Sequence, residues 1–255
     1  MSNITYDLFG SVGFQGEMHA EDYAQIQPCI DTLDAFARSS NISIYIIDYY
    51  KHNFLYVSHN PLFLNHLTTD EVKKMGYLYY EKFVPEKDLL LLKEINKAGF
   101  AFYKQIPIED KLKYTISYDF HIIVNDNPKK QILINHKLTP MKLSTNGSIW
   151  LAMCVVTLSS QSEPGAIKIK KVDSPLEFIY NRESGKWKEK EILKLSDREI
   201  EVIRLSAQGL SNQEIADTLF LDINTVKFHK KNIFSLMEVR NIAEAIAYAA
   251  NNKLL

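Results

Sequence analysis

Gly209-Leu210-Ser211-Asn212-Gln213-Glu214-Ile215-Ala216, with Asn224-Thr225-Val226-Lys227-Phe228-His229-Lys230-Lys231-Asn232-Ile233 close behind it, is the most informative text in this 255-residue chain. Ser211 and Glu214 stand three residues apart, so the hydroxyl can cap a helix while the carboxylate reaches back to the cap's own N–H. Ser196-Asp197-Arg198-Glu199 repeats the arrangement just upstream. Gly209 lies between the two starts and takes the left-handed conformation that ends a helix without a Cβ penalty. The spacing predicts helix, tight glycine turn, helix, and then a third helix that Asp222 can cap.

Charge adds to this. The whole chain has a formal net charge of -1, so nothing global marks it for nucleic acid. Between Ile223 and Met237, however, it carries Lys227, His229, Lys230 and Lys231 and no acidic residue. That helix is a local positive ridge.

Composition sets the outer bounds. The length suits two domains, and 46% hydrophobic with 24% charged residues is ordinary for a globular protein. The longest strongly apolar run, Ile149 to Leu158, is too short for a bilayer helix, and Met1-Ser2-Asn3-Ile4-Thr5 lacks a signal-peptide pattern. The expectation is a cytoplasmic protein with no membrane partner. Cys29 and Cys154 are far apart and form no C-x-x-C pair, which gives neither a disulfide framework nor a zinc site. No nucleophile-base pair, Walker loop or metal-ligand cluster appears, and neither an enzyme activity nor a cofactor is expected.

Upstream, Gly10, Gly13 and Gly16 read as loop, since no strand precedes them and no long helix follows. Glu21 to Ser39 has helical periodicity, with Ile26, Ile30, Leu33, Phe36 and Ala37 on one face. Two β-like runs follow, Ile42 to Tyr50 and Phe54 to Ser58, joined by Lys51-His52-Asn53. A helix runs from Pro61 through Leu67 and Met75 to a stop at Gly76, and another covers Pro85 to Ala98. Strands return at Tyr114 to Val124, Gln131 to Leu143 and Ser148 to Leu158. Ser159 to Gly165 reads as a linker, followed by a strand pair at Ala166 to Val172 and Leu176 to Tyr180.

Two strands, a helical block and three strands make an α+β pattern. In that order of elements Ile42 to Ser160 resembles a PAS-type sensor domain, which implies an antiparallel sheet with helices on one face. No photoreactive flavin cysteine fits, because Cys29 lies upstream and Cys154 falls in the last strand. His52, His59 and His66 sit on different elements, and His66 suits a surface or capping role better than a haem ligand. The many aromatic residues build a core or line a pocket for a small molecule. Asp48 follows an apolar run but lacks the earlier acidic pair of a phosphorylation receiver. With only Trp150 and Trp187, the chain is a poor match to an autoinducer-binding domain.

The last sixty residues resemble the LuxR-type, or GerE-type, helix-turn-helix domain of bacterial regulators. The matching positions are Leu195, Ser196, Arg198 and Glu199, then Gly209, Ser211, Asn212, Glu214, Ile215 and Ala216, then Thr225, Val226, Lys227, His229 and Ile233. The resemblance implies a small four-helix domain with its recognition helix at 223–237 in the major groove of double-stranded DNA. Val226, Ile233 and Met237 are expected to bury against Ile200, Ile203, Ile215 and Leu219. Lys227, Phe228 and Lys231 would face the bases, and Thr225, His229 and Lys230 the phosphates. Ser211 and Asn212 would offer amides to phosphate at a helix start. The expected contact set is thus Ser211, Asn212, Asn224, Thr225, Val226, Lys227, Phe228, His229, Lys230 and Lys231.

Three positions depart from the family. Glu238 replaces the usual glycine, Ile242 an arginine and Leu236 a lysine. The alanine-rich last helix, Asn241 to Asn252, pairs subunits in the family, and the PAS-like domain is a second route to a homodimer. Contact with RNA polymerase is also compatible with such a regulator. The organisation expected is a PAS-like domain with an N-terminal helical extension at 1–160, a linker with a hairpin at 161–190, and the helix-turn-helix domain at 191–255. The function expected is sequence-specific transcriptional regulation gated by the N-terminal domain. The alternative is an interaction adaptor working through that domain, with secondary DNA contacts.

Overall fold

The computed structural model describes Phe14, residues 16–40, residues 42–252 and Leu254. Gly10 and Gly13, read above as loop, lie outside them. The chain divides into two compact units, one running to Thr157 and resuming over Glu163–Lys190, the other made of Leu158–Ser162 and Glu191–Leu255.

The first unit is built on one eight-stranded sheet. Its strands are β1 (Ser43–Asp48), β2 (Asn53–Val57), β3 (Tyr114–Val124), β4 (Asn127–Leu143), β5 (Ile149–Leu158), β6 (Gly165–Lys171), β7 (Leu176–Asn181) and β8 (Lys186–Glu191). They lie in the order β2-β1-β5-β4-β3-β6-β7-β8. β1 pairs antiparallel with β2 and β5, and β3 with β4 and β6. The period of two then sorts β1 between two cores. Tyr45 and Ile47 join Phe54, Phe63, Tyr79, Phe83 and Phe120 on one side. Ile44 and Ile46 join Ile26, Ala37, Tyr56 and Trp150 on the other. Every residue of β1 is accordingly buried.

Residues 161–190 correct the expected linker. The hairpin is present, with Lys168 opposite Ile179 and Ile169 opposite Phe178. It does not hang free, because β6 adds to the edge of β3 with Ile116 opposite Ile169. Ile167 and Ile169 are thereby buried in the main core, and β8 extends the sheet further. Alternation alone shows two strands but not the edge they will join.

The helical readings need finer division. The single helix expected over Glu21 to Ser39 is two, α1 (Ala20–Ala24) and α2 (Gln27–Ser40). Pro28 lies in the first turn of α2, where its missing N–H costs nothing. Ile26 and Ala37 are buried as expected, whereas Phe36 is 52% exposed. The helix expected from Pro61 to Gly76 is also two, α3 (Pro61–Leu64) and α4 (Thr69–Met75). Thr68 and Glu71 form a capping box between them, and Gly76 closes α4 at φ 55°. Two more helices, α5 (Leu78–Phe83) and α6 (Glu86–Tyr103), complete the layer before a 3-10 turn at Ile108–Lys113.

His66 pairs at the surface with Asp126, Nε2 to Oδ2 at 3.2 Å. Among the described residues no group of three or more His, Cys, Asp or Glu could hold a metal ion, and no helix is long and apolar enough to cross a membrane.

Candidate nucleic-acid interface

The second unit holds four helices, α7 (Asp197–Ala207), α8 (Asn212–Leu219), α9 (Ile223–Met237) and α10 (Ile242–Asn251). Each opens on a side-chain cap. Ser196 accepts from the Glu199 N–H and Ser211 from that of Glu214, with the reciprocal carboxylate bonds in place at both starts. Asp222 Oδ1 accepts from the Asn224 N–H at 2.7 Å, and Asn241 accepts from that of Glu244. Bonds from the Ser211 backbone and hydroxyl hold the exposed Glu214 carboxyl below its usual range.

The helix ends share a second device. Gly209, Phe220 and Glu238 each adopt positive φ, at 89°, 55° and 57°. The next residue then folds back, with N–H of Leu210 to O of Leu205 at 3.2 Å, of Leu221 to O of Ala216 at 2.9 Å and of Val239 to O of Phe234 at 3.0 Å. These are Schellman-type closures, and Leu210, Leu221 and Val239 pack into the core of the unit as such closures favour. Glu238 therefore takes the left-handed geometry for which the family uses glycine, so the corner keeps its shape.

A Cβ in that region is strained, whereas glycine adds unfolded-chain entropy. Glu238→Gly is expected to stabilise this unit by about 0.5 kcal/mol, the strain relief slightly exceeding the entropy. Glu238→Val should destabilise it by about 1 kcal/mol, since a branched Cβ fits left-handed backbone worst. Urea unfolding of the full chain with the two variants side by side measures both.

The core fixes how α9 presents itself. Val226, Ile233 and Met237 are buried with Val202, Ile203, Ile215, Ala216, Ala245 and Ala249. Leu219 packs on this cluster from its rim, while Ile200, expected in it, is half-buried at the side and Val202 takes its place. At about 100° per residue, Phe228 stands about 200° round the helix from Val226, with Asn224, Lys231 and Ser235 beside it. Those four form the outermost ridge.

The expected contact residues separate accordingly. Ser211, Asn224, Lys227, Phe228 and Lys231 are exposed. Neither Lys227 nor Lys231 forms a salt bridge among the described residues. Asn212, Thr225, His229 and Lys230 are half-buried along the flanks. Partial burial draws the Lys230 ammonium below its usual pKa. Val226 must be taken out of the contact set: it is fully buried and offers a duplex no side-chain surface. Its role is to aim the helix. Sequence reading did not pick out Phe220, which is 95% exposed in the turn between α8 and α9.

Two of the three departures now have a structural account. Glu238 has been placed, and Ile242 packs against the core rim, where an arginine would not bury. Leu236 remains 47% exposed, and nothing in the structure explains it.

Four capped helices with a basic ridge on the third define a helix-turn-helix domain. Residues 193–249 match the LuxR family of bacterial regulatory proteins, GerE, and this part of the chain is a LuxR-type helix-turn-helix domain. Among similar proteins, the Fimbriae Z protein of Salmonella typhimurium is 42% identical over 80 residues, 31% of this chain and 38% of its own length. The response regulator protein VraR of Staphylococcus aureus is 44% identical over 61 residues, 24% of this chain and 29% of its own. The chain thus spans little more than a third of the curated relatives it matches, or less. Vibrio cholerae VqmA, a solved structure, is 16% identical with a TM-score of 0.34, covering 87% of each chain.

Proposed function

We propose that this protein is a transcriptional regulator that binds duplex DNA through α9 and is gated by its N-terminal unit. The observation carrying the reading is the outer ridge of α9. Asn224, Phe228, Lys231 and Ser235 are exposed there, with Lys227 exposed on the adjoining flank, while Val226, Ile233 and Met237 lock the opposite side into the core. A helix so held can enter the major groove, about 12 Å wide, and its capped neighbour α8 can place the Ser211 and Asn212 amides against phosphate. Thr225, His229 and Lys230, on the flanks, are positioned for backbone contacts that set register.

Pairing of two chains would let such a domain address an inverted repeat. On α10, Ala245 and Ala249 are buried within the unit, while Ala243 and Ala250 are exposed and Ala247 is half-buried on another side of the helix. That small-residue side supports α10 as the pairing element.

Gating by a small molecule is supported by two buried hydroxyls that line a small cavity inside the first unit. Tyr49, Asn96, Gly99, Phe100, Tyr103 and Tyr118 are among its lining residues, and at about 20 Å³ it has room for about one water as it stands. The buried hydroxyls of Tyr49 and Tyr103 have no hydrogen-bond partner among the described residues. Water satisfies one of them at most in the cavity as it stands, and a ligand that widens it could satisfy both.

The test is capture of sheared genomic DNA by the purified full chain, followed by sequencing. Wild type is expected to enrich discrete sites, and Lys231→Ala to lose most of that enrichment. Equal enrichment by both proteins, or none by wild type, overturns the reading.

A further inference from the structure

Phe228 is the one large apolar side chain on the outer ridge of α9, and it is 60% exposed. Its nearest ring neighbour, His229, lies 6.1 Å away between centroids. No described residue of the unit takes it into the core: it points away from the seam formed by Val226, Ile233 and Met237. Asn224 and Lys231 flank it one turn before and one turn after.

A helix entering the major groove brings its outermost ridge nearest to the base edges. Those edges offer hydrogen-bond donors and acceptors at every base pair. An aromatic ring can use none of them, and placed against them it would leave them unpaired. The only apolar group on the groove floor of unmodified DNA is the C5 methyl of thymine.

We infer that Phe228 is a specificity-determining residue that reads the C5 methyl of a thymine. Lys227 and Lys231, together on one side of the ring, hold the helix in the groove by charge, and the ring selects within it. This rests on the proposed DNA binding by α9 and adds the base that one of its positions chooses.

Selection from two random duplex pools tests it with the full chain, one pool made with thymine and the other with deoxyuridine, which lacks only the methyl. Wild type is expected to enrich a motif with a fixed thymine from the first pool. Replacing that thymine by uracil should weaken binding about fourfold in each half-site, the worth of one apolar carbon removed from water. Phe228→Ala should bind the thymine and uracil duplexes equally, and Phe228→Leu, which keeps an apolar tip, should retain the preference. Indifference of wild type to uracil at every thymine of its motif overturns the thymine contact and leaves the DNA-binding reading standing. So does an unchanged thymine preference in Phe228→Ala. If wild type enriches no motif from either pool, the DNA-binding reading itself fails.

Discussion

Acidification from pH 7 to pH 4.5 is expected to cost the N-terminal unit about 2 to 3 kcal/mol through His136 alone. His136 is fully buried in β4, and burial pushes its pKa down from 6.5 to about 3. Its Nε2 lies 2.5 Å from Tyr45 Oη, which lies 2.5 Å from Tyr80 Oη, while its Nδ1 has no partner among the described residues. A neutral ring whose Nε2–H donates to Tyr45 leaves only an acceptor unpaired at Nδ1. Protonation would place a buried N–H there with nothing to receive it.

The unfolded chain therefore takes up a proton below pH 6.5 that the folded chain refuses down to about pH 3. Across that window stability falls with pH by about 1.4 kcal/mol per unit. Contacts that hold the exposed Glu71 and Asp110 carboxyls below their usual range add in the same direction. A variant isolates the histidine: His136→Leu should be less stable at pH 7, yet lose less on acidification. Urea unfolding of both proteins at pH 7, 5.5 and 4.5 measures it, and parallel pH profiles would show that water reaches His136 in the fold.

Replacing both Lys227 and Lys231 by alanine is expected to weaken binding to duplex DNA by about two orders of magnitude near 0.15 M salt. Each lysine contributes about 1 to 3 kcal/mol where it contacts a guanine, and less where it meets only phosphate. The effect is large because the chain has little other charge to fall back on: its 30 Lys and Arg are offset by 31 Asp and Glu. Both side chains are exposed and lie outside the core seam, so their loss should leave the unfolding transition where it is. Lys230→Ala is a useful contrast. Its ammonium is partly buried and its pKa depressed, and truncation should change affinity less than at Lys231.

Much of the helix-turn-helix domain was legible because its information is local. Ser196 with Glu199, Ser211 with Glu214, Gly209 and Asp222 each act within a few residues, and each takes the predicted position. The closures at Phe220 and Glu238 were not legible, since neither residue type signals left-handed backbone. Leu221 and Val239, apolar residues following each corner, were the usable clue. Thr68 and Glu71 carry the same capping signal, and reading it would have divided the helix over 61–75 correctly. The edge strands β6 to β8 lay beyond reach for another reason: which strand receives them depends on pairings between residues such as Ile116 and Ile169, far apart in sequence. Tyr45, Tyr80 and His136 come together in the same non-local way, and the orphaned Nδ1 has no trace in the sequence.

On this account α9 meets the DNA backbone and bases through its own lysines. The dissociation constant of the full chain for a mixed-sequence duplex, followed against salt concentration in wild type and in the Lys227→Ala/Lys231→Ala double variant, reports this contact. Each phosphate neutralised contributes about 0.9 to the log–log slope, so wild type should show a steep dependence and the double variant a slope smaller by up to about 2. An identical slope and affinity in the two proteins would show that residues other than these two lysines carry the contact.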